Sequence, residues 1–148
     1  MINFIIVTHG EFGAYLVEAA ESIAGPQTEG VKVISISSRL SVPEIRERIA
    51  KAVKDLRSPE GLVLFTDMPG GTPSNLSFPM IKDEPNAEMI SGLNLNMLLY
   101  AFSHRAGRAL GNRCPEISAF ARGIALDRAG YNEMTTVIGD GGLRVDCV

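Results

Sequence analysis

Two short segments of this chain carry residues that could do chemistry. In the first, the apolar run Ile2 to Val7 stops abruptly at Thr8-His9-Gly10; in the second, Phe65 to Asn75 reads FTDMPGGTPSN. A histidine at the end of a strand can serve as nucleophile, base or metal ligand. In an open α/β sheet, ligands collect at the carboxyl ends of strands. Asp67 stands at the end of a second apolar strand and supplies a carboxylate. Bonded to one imidazole nitrogen, a carboxylate fixes the ring tautomer and leaves the other nitrogen's lone pair free to attack. It also stabilises the ring when it becomes positive. Gly70-Gly71 permits close backbone approach, the helix start that follows offers free amides to an anion, and Thr72 adds a hydroxyl. The candidate site is therefore a nucleophilic His9, an orienting Asp67 and a phosphate cradle of Thr66, Gly70, Gly71 and Thr72, with no metal.

Each segment taken singly has a plainer reading. A lone histidine at a strand end is more often structural or superficial, and Gly-Gly-Thr-Pro is usually a turn and a helix start. Their joint placement on one sheet edge reverses that balance. His104 has no comparable setting and reads as a surface residue near a helix C-terminus. Ser74 and Asn75 read as serving the helix start.

The elements that must position these residues alternate along the chain. Ile2 to Val7 reads as a buried strand. Glu11 to Ala24 reads as a helix ended by Gly25-Pro26, with Phe12, Leu16, Ala19, Ala20 and Ile23 at helical spacing. Val31 to Ile36 reads as a second strand. Ser41-Val42-Pro43-Glu44 has the form of a capping box, opening a helix to about Leu56 whose apolar face is Ile45, Ile49, Ala52, Val53 and Leu56. Gly61 to Phe65 is a third strand. Thr72 is the expected N-cap of the next helix, with Pro73 as its first residue. Ala87 to Ile90 reads as a fourth strand, after which Ser91-Gly92-Leu93-Asn94 leads into a helix from Leu95 to about His104. Pro115 to Ala129 reads as a last helix, and Leu143 to Val148 as a short C-terminal strand. Alternation with short connections predicts an α/β fold: a doubly wound, mostly parallel sheet with helices on both faces and a C-terminal antiparallel edge strand.

Composition narrows the function. At 148 residues, the expectation is one domain over 1–148. Apolar content of 45% and charged content of 21% are ordinary for a soluble protein. With a formal charge of −3 and no basic block, no nucleic-acid footprint is suggested. Cys114 and Cys147 form neither a metal-ligand spacing nor a disulfide framework. The N-terminal apolar run is too short to span a bilayer and lacks a preceding basic region. A cytoplasmic protein is expected.

The segments FIIVTHGEFG, LFTDMPGGTPSN and ISGLNLNMLL closely resemble the enzyme IIA family of the mannose/fructose/sorbose-type sugar phosphotransferase system, in matching order and spacing over residues 1–104. Asn96 stands where a proline is common in that family. The resemblance implies that His9 accepts a phosphoryl group from the phosphocarrier protein HPr and passes it to an enzyme IIB, which phosphorylates an incoming sugar. Asp67 would bond Nδ1, so that Nε2 carries the phosphate. It implies no cofactor, only indirect contact with a membrane transporter, and a homodimer in which the C-terminal strand crosses to the partner's sheet. An alternative within the same chemistry is a regulatory phosphoprotein, in which phospho-His9 is a signal and not a transport relay. A histidine phosphatase also begins with a strand ending in His-Gly-Glu, but its histidine follows an arginine, where this chain has Thr8. The phosphotransfer subunit of dihydroxyacetone kinase is a further relative, less well matched by Gly-Gly-Thr-Pro-Ser-Asn.

Overall fold

The computed structural model describes residues 1–106 and two later strands, 135–139 and 142–146. Strands and helices alternate as β1 (Asn3–His9), α1 (Phe12–Ala24), β2 (Val31–Ile36), α2 (Val42–Leu56), β3 (Leu62–Thr66), α3 (Thr72–Ile81), β4 (Ala87–Ser91) and α4 (Leu95–His104), followed by β5 (Thr135–Gly139) and β6 (Gly142–Asp146). The sheet order is β2-β1-β3-β4-β5-β6. The first four strands are mutually parallel, while β5 runs antiparallel to β4 and β6 antiparallel to β5. β5 had no counterpart among the sequence expectations. β6 corresponds to the strand expected over Leu143 to Val148, and here it pairs with β5 of its own chain. The helix expected from Pro115 to Ala129, with both cysteines, lies outside the described residues.

Near-continuous apolar runs form the central strands because both faces of the sheet are covered. Phe4 and Ile6 of β1, Val63 and Phe65 of β3 and Ile90 of β4 pack with Val17, Ala20, Met97, Leu98 and Phe102 of α1 and α4. The alternate residues Ile5, Val7, Leu62, Leu64 and Met89 pack with Ile45, Ile49, Val53, Leu76 and Ile81 of α2 and α3. A period of two thus assigns successive strand residues to opposite cores.

Helix α2 starts as expected. The Ser41 side chain accepts from the Glu44 amide. In return the Glu44 carboxylate accepts from the Ser41 hydroxyl and from the Ser41 amide, and these two bonds, the hydroxyl's first, hold the carboxyl below its ordinary pKa. Helix α1 differs from expectation in the face it buries. Its sheet-facing residues are Gly13, Val17 and Ala20, whereas Phe12 and Ile23 are exposed. Of the expected stripe, Ala20 is buried and Leu16 packs against the core. A Cβ on Gly13 would crowd Ile6 and Thr8, so glycine there lets the helix lie close to the sheet while Phe12 and Ile23 stay outside.

From β1 the chain passes to β2 on one side, and β3 joins β1 on the other. This reversal of winding creates a switch point between the carboxyl ends of β1 and β3, the place where open α/β sheets bind ligands. His9 ends β1, and Asp67 directly follows β3.

Candidate functional site

The switch point brings together the two residues singled out in the sequence, although they lie 58 positions apart. The Asp67 Oδ2 atom is 2.8 Å from His9 Nδ1 and also accepts from the His9 backbone amide at 2.9 Å. Its other oxygen, Oδ1, accepts from the Met68 amide at 3.0 Å. A carboxylate can only accept, so this pairing puts the ring proton on Nδ1 and leaves a lone pair on Nε2. The His9 side chain is 48% exposed and that of Asp67 only 13%. The carboxylate is thus shielded behind a ring that remains open to a partner.

Gly71 stands against the imidazole. A Cβ added there would lie 3.1 Å from His9 Cε1 and 3.1 Å from Met68 Cγ. Cε1 is the carbon between the two ring nitrogens, so the backbone at Gly71 flanks the approach to Nε2. Gly71, and not Thr72 as expected, is the N-cap of α3; its backbone is extended and no side chain caps the helix. Thr72 is the first helical residue and Pro73 the second. Asn75 makes the first intrahelical bond, its amide donating to the Gly71 carbonyl at 2.9 Å. Helix geometry leaves the amides before it, among them Thr72, without intrahelical acceptors, and Pro73 has none to satisfy. Gly70, with φ +74, turns the chain just before this start in a position that an added Cβ would leave uncrowded. Asn75 Nδ2 donates to the Gly70 carbonyl at 2.9 Å, which fixes the turn from outside.

Thr66 stands apart from the other cradle candidates. It belongs to β3, is fully buried, and its hydroxyl lies 2.8 Å from Ser74 Oγ and 2.5 Å from Ser91 Oγ. It supports the loop from beneath and presents nothing to the open side of His9. Its carbonyl accepts from the amides of Gly92 and Leu93, each at 3.0 Å, so Ser91-Gly92-Leu93-Asn94 at the end of β4 clamps β3. Thr8, next to the histidine, is also buried, and its hydroxyl accepts from the Gly13 amide at 2.8 Å, anchoring the start of α1. Sequence reasoning missed this anchor; a threonine five residues before a helical glycine was its only signal. His104 lies outside the site, with its Nδ1 2.9 Å from the Tyr100 carbonyl and its ring stacked on Tyr100.

The site is an open surface. A groove of about 590 Å³ runs along β2 and α2, lined by Glu11, Lys32, Ser35, Arg48 and Lys51 among others, and His9 does not line it. Exposed Phe12 and Met68 flank the two site residues in sequence. Among the described residues no group of three or more His, Cys, Asp or Glu side chains could hold a metal ion, and no helix is long and apolar enough to cross a membrane.

A family model described as EIIA-man, PTS system fructose IIA component, matches residues 3–117. The fructose-specific EIIA component of the phosphotransferase system of Bacillus subtilis is 28% identical over 122 residues, which are 82% of this chain and 83% of that protein. The mannose-specific EIIAB component of Escherichia coli K12 is 29% identical over 98 residues, 66% of this chain but 30% of that protein. The chain therefore spans most of the first relative and less than a third of the second. Among solved structures, an EIIA component from Streptococcus agalactiae superposes with a TM-score of 0.74 at 29% identity, covering 83% of this chain and 94% of that one. A mannose/sorbose-specific IIA subunit from Enterococcus faecalis shares the fold, with a TM-score of 0.74 at 17% identity, covering 82% and 90%.

Proposed function

This chain belongs to the EIIA-man family of phosphotransferase-system IIA components, and from that premise we propose that it relays a phosphoryl group through His9. The donor is phospho-HPr and the acceptor a cognate enzyme IIB, which uses the group during sugar uptake. The observation that carries this reading is the 2.8 Å contact between His9 Nδ1 and Asp67 Oδ2 at the switch point of the sheet.

The transfer follows from that contact. With Nδ1 protonated and held, the lone pair on Nε2 attacks the phosphorus of the donor phosphohistidine. A new N–P bond forms as the donor's N–P bond breaks, and the donor imidazole leaves with the electron pair. The His9 ring becomes cationic, and the Asp67 carboxylate across Nδ1–H offsets that charge. Phosphoryl oxygens are received by the first amides of α3 and the Thr72 hydroxyl, where the helix N-terminus favours negative charge. Passage to enzyme IIB reverses the same steps. A half-exposed ring with exposed, apolar Met68 nearby suits a protein-borne donor, which must bring its own histidine to within bonding distance.

The same reading extends to a homodimer in which β6, paired with β5 of its own chain and not exchanged, is the edge strand that meets the partner. Removal of the residues after 139 should convert a dimer to monomer or aggregate in light scattering, and an unchanged dimer would take the strand out of the interface.

Incubation with phosphoenolpyruvate, enzyme I and HPr, followed by mass spectrometry under conditions that preserve acid-labile phosphate, tests the relay. His9→Ala should abolish labelling and His104→Ala should leave it intact. Label surviving in the His9→Ala protein would sink the assignment.

A further inference from the structure

Beneath the loop that carries Asp67 lies a group of three buried hydroxyls, from Thr66 at the end of β3, Ser74 in α3 and Ser91 at the end of β4. Thr66 and Ser91 are 2.5 Å apart, Thr66 and Ser74 2.8 Å, and Ser74 and Ser91 3.2 Å. Ser74 Oγ also reaches the Met68 carbonyl at 2.6 Å. All three residues are between 0% and 5% exposed, so water does not compete for these bonds.

Proton counting orders the cluster. A carbonyl oxygen has no proton to give, so the Ser74 hydroxyl must spend its only proton on Met68. Ser74 can then only accept from its two neighbours. The remaining protons run toward it, by the shortest contacts from Ser91 to Thr66 to Ser74 to Met68. Each hydroxyl in such a one-way chain strengthens the donor ahead of it. The chain ends on the residue that also holds the catalytic carboxylate, because the Met68 amide donates to Asp67 Oδ1. Met68 is therefore fixed at its carbonyl by Ser74 and at its amide by Asp67. Its side chain and the His9 ring converge beside Gly71, where an added Cβ would lie 3.1 Å from each.

We propose that Ser74 is a positioning residue for phosphoryl transfer: its hydroxyl, committed to the Met68 carbonyl, anchors Met68 so that the Asp67 carboxylate stays in line with His9 Nδ1. This inference rests on the relay through His9. It assigns to α3 a second role, since the helix that receives the phosphoryl oxygens with its first amides also locks the orienting carboxylate through its third residue. A cluster that merely satisfied buried polar groups would make Ser74 and Ser91 equivalent; the Met68 bond makes them unequal.

The test compares Ser74→Ala with Ser91→Ala in the full chain. Each removes one buried hydroxyl from the cluster, so both should lower the unfolding midpoint. Only Ser74→Ala frees the Met68 carbonyl. It should slow phosphorylation by phospho-HPr about tenfold, in keeping with the cost of a small misplacement of a catalytic group, while Ser91→Ala stays within about twofold of the parent. A second readout needs no transfer at all. The ring 15N shifts of neutral His9 in the unphosphorylated protein should report the Nδ1–H tautomer in the parent and in Ser91→Ala, and a mixture of tautomers in Ser74→Ala. Should Ser74→Ala not fold, Ser74→Cys, which keeps a weaker donor, carries the same comparison. Parent-like transfer and an unaltered ring signature in the Ser74 variant, or equal slowing by Ser91→Ala, would overturn the proposal. Failure of the parent protein to take phosphate would instead count against the relay, and the ring signature would still decide the role of Ser74.

Discussion

The two ends of the parallel sheet both gather polar side chains, but they use them differently. At the amino edge, Arg105 is 7% exposed; its Nε donates to the Ile2 carbonyl at 3.3 Å and its Nη1 to Gln27 Oε1 at 2.8 Å, with the guanidinium 5.2 Å above the Phe4 ring. Asn3 Nδ2 bonds the Leu56 carbonyl at the end of α2. A side chain on Gly30 there would collide with Asn3 and Arg105. Desolvation pushes the Arg105 pKa below its ordinary value, opposed by Glu29, as expected of a charge enclosed for packing. At the carboxyl edge, His9 keeps half its surface and one ring nitrogen uncommitted, and Gly10 and Gly70 border open space. What distinguishes a site from a seam is an uncommitted valence held by committed neighbours, and polarity alone does not supply it.

That contrast can be broken first at Asp67. The carboxylate supplies a hydrogen bond to a ring that becomes charged, worth roughly 1.5–3 kcal/mol. Asp67→Ala should therefore slow transfer from phospho-HPr by about ten- to two-hundredfold, measured in single-turnover labelling. A folded variant with parent-like rates would remove Asp67 from the mechanism.

Gly71 gives a smaller and more selective effect. Its φ of −75° and ψ of 170° are accessible to alanine, so Gly71→Ala should leave the unfolding midpoint unchanged or slightly raised. The added methyl, 3.1 Å from His9 Cε1, must displace the ring or the loop. Transfer should fall roughly fivefold. Equal loss of stability and rate would mean that Gly71 serves folding alone.

The amino edge should respond in the opposite sense. Arg105→Met leaves the Ile2 carbonyl and Gln27 without their donor, a loss of about 1–3 kcal/mol in urea unfolding. The folded fraction should still accept phosphate at the parent rate. Slowed transfer in the folded variant would show that the two edges are coupled, and the contrast would fail.

Much of this arrangement could be read from residue order. Strand runs that stop at Thr8-His9 and Thr66-Asp67, separated by one helical and one strand–helix unit, bring the two side chains to adjacent parallel strands. The capping box at Ser41 and Glu44 has a sequence signature because both bonds are local. Other features depend on contacts that no local pattern encodes. Thr66 sits one residue inside β3, and a one-residue shift at a strand end turns a ligand-facing hydroxyl into a buried one. Thr72 has the usual chemistry of a cap, yet the helix already includes it and Gly71, where an added Cβ would crowd His9, holds the cap position. The exposure of Phe12 and Ile23 on α1 goes with the close approach at Gly13, whose small size matters only against the sheet. β5 does have a local trace: the β-branched run Thr135-Thr136-Val137-Ile138 precedes Gly139-Asp140-Gly141-Gly142, and Asp-Gly between two strands is a hairpin signal.

The central claim is that Asp67 reserves Nδ1 and so directs the phosphoryl group to Nε2 of His9. Selective 15N labelling of both histidines, followed by phosphorylation from phospho-HPr and long-range nitrogen–proton correlation spectra, reads this directly. The account predicts phosphorus coupling at Nε2 of His9, a retained proton on Nδ1, and an unchanged His104 ring. Phosphate on Nδ1 of His9, or on His104, would contradict it.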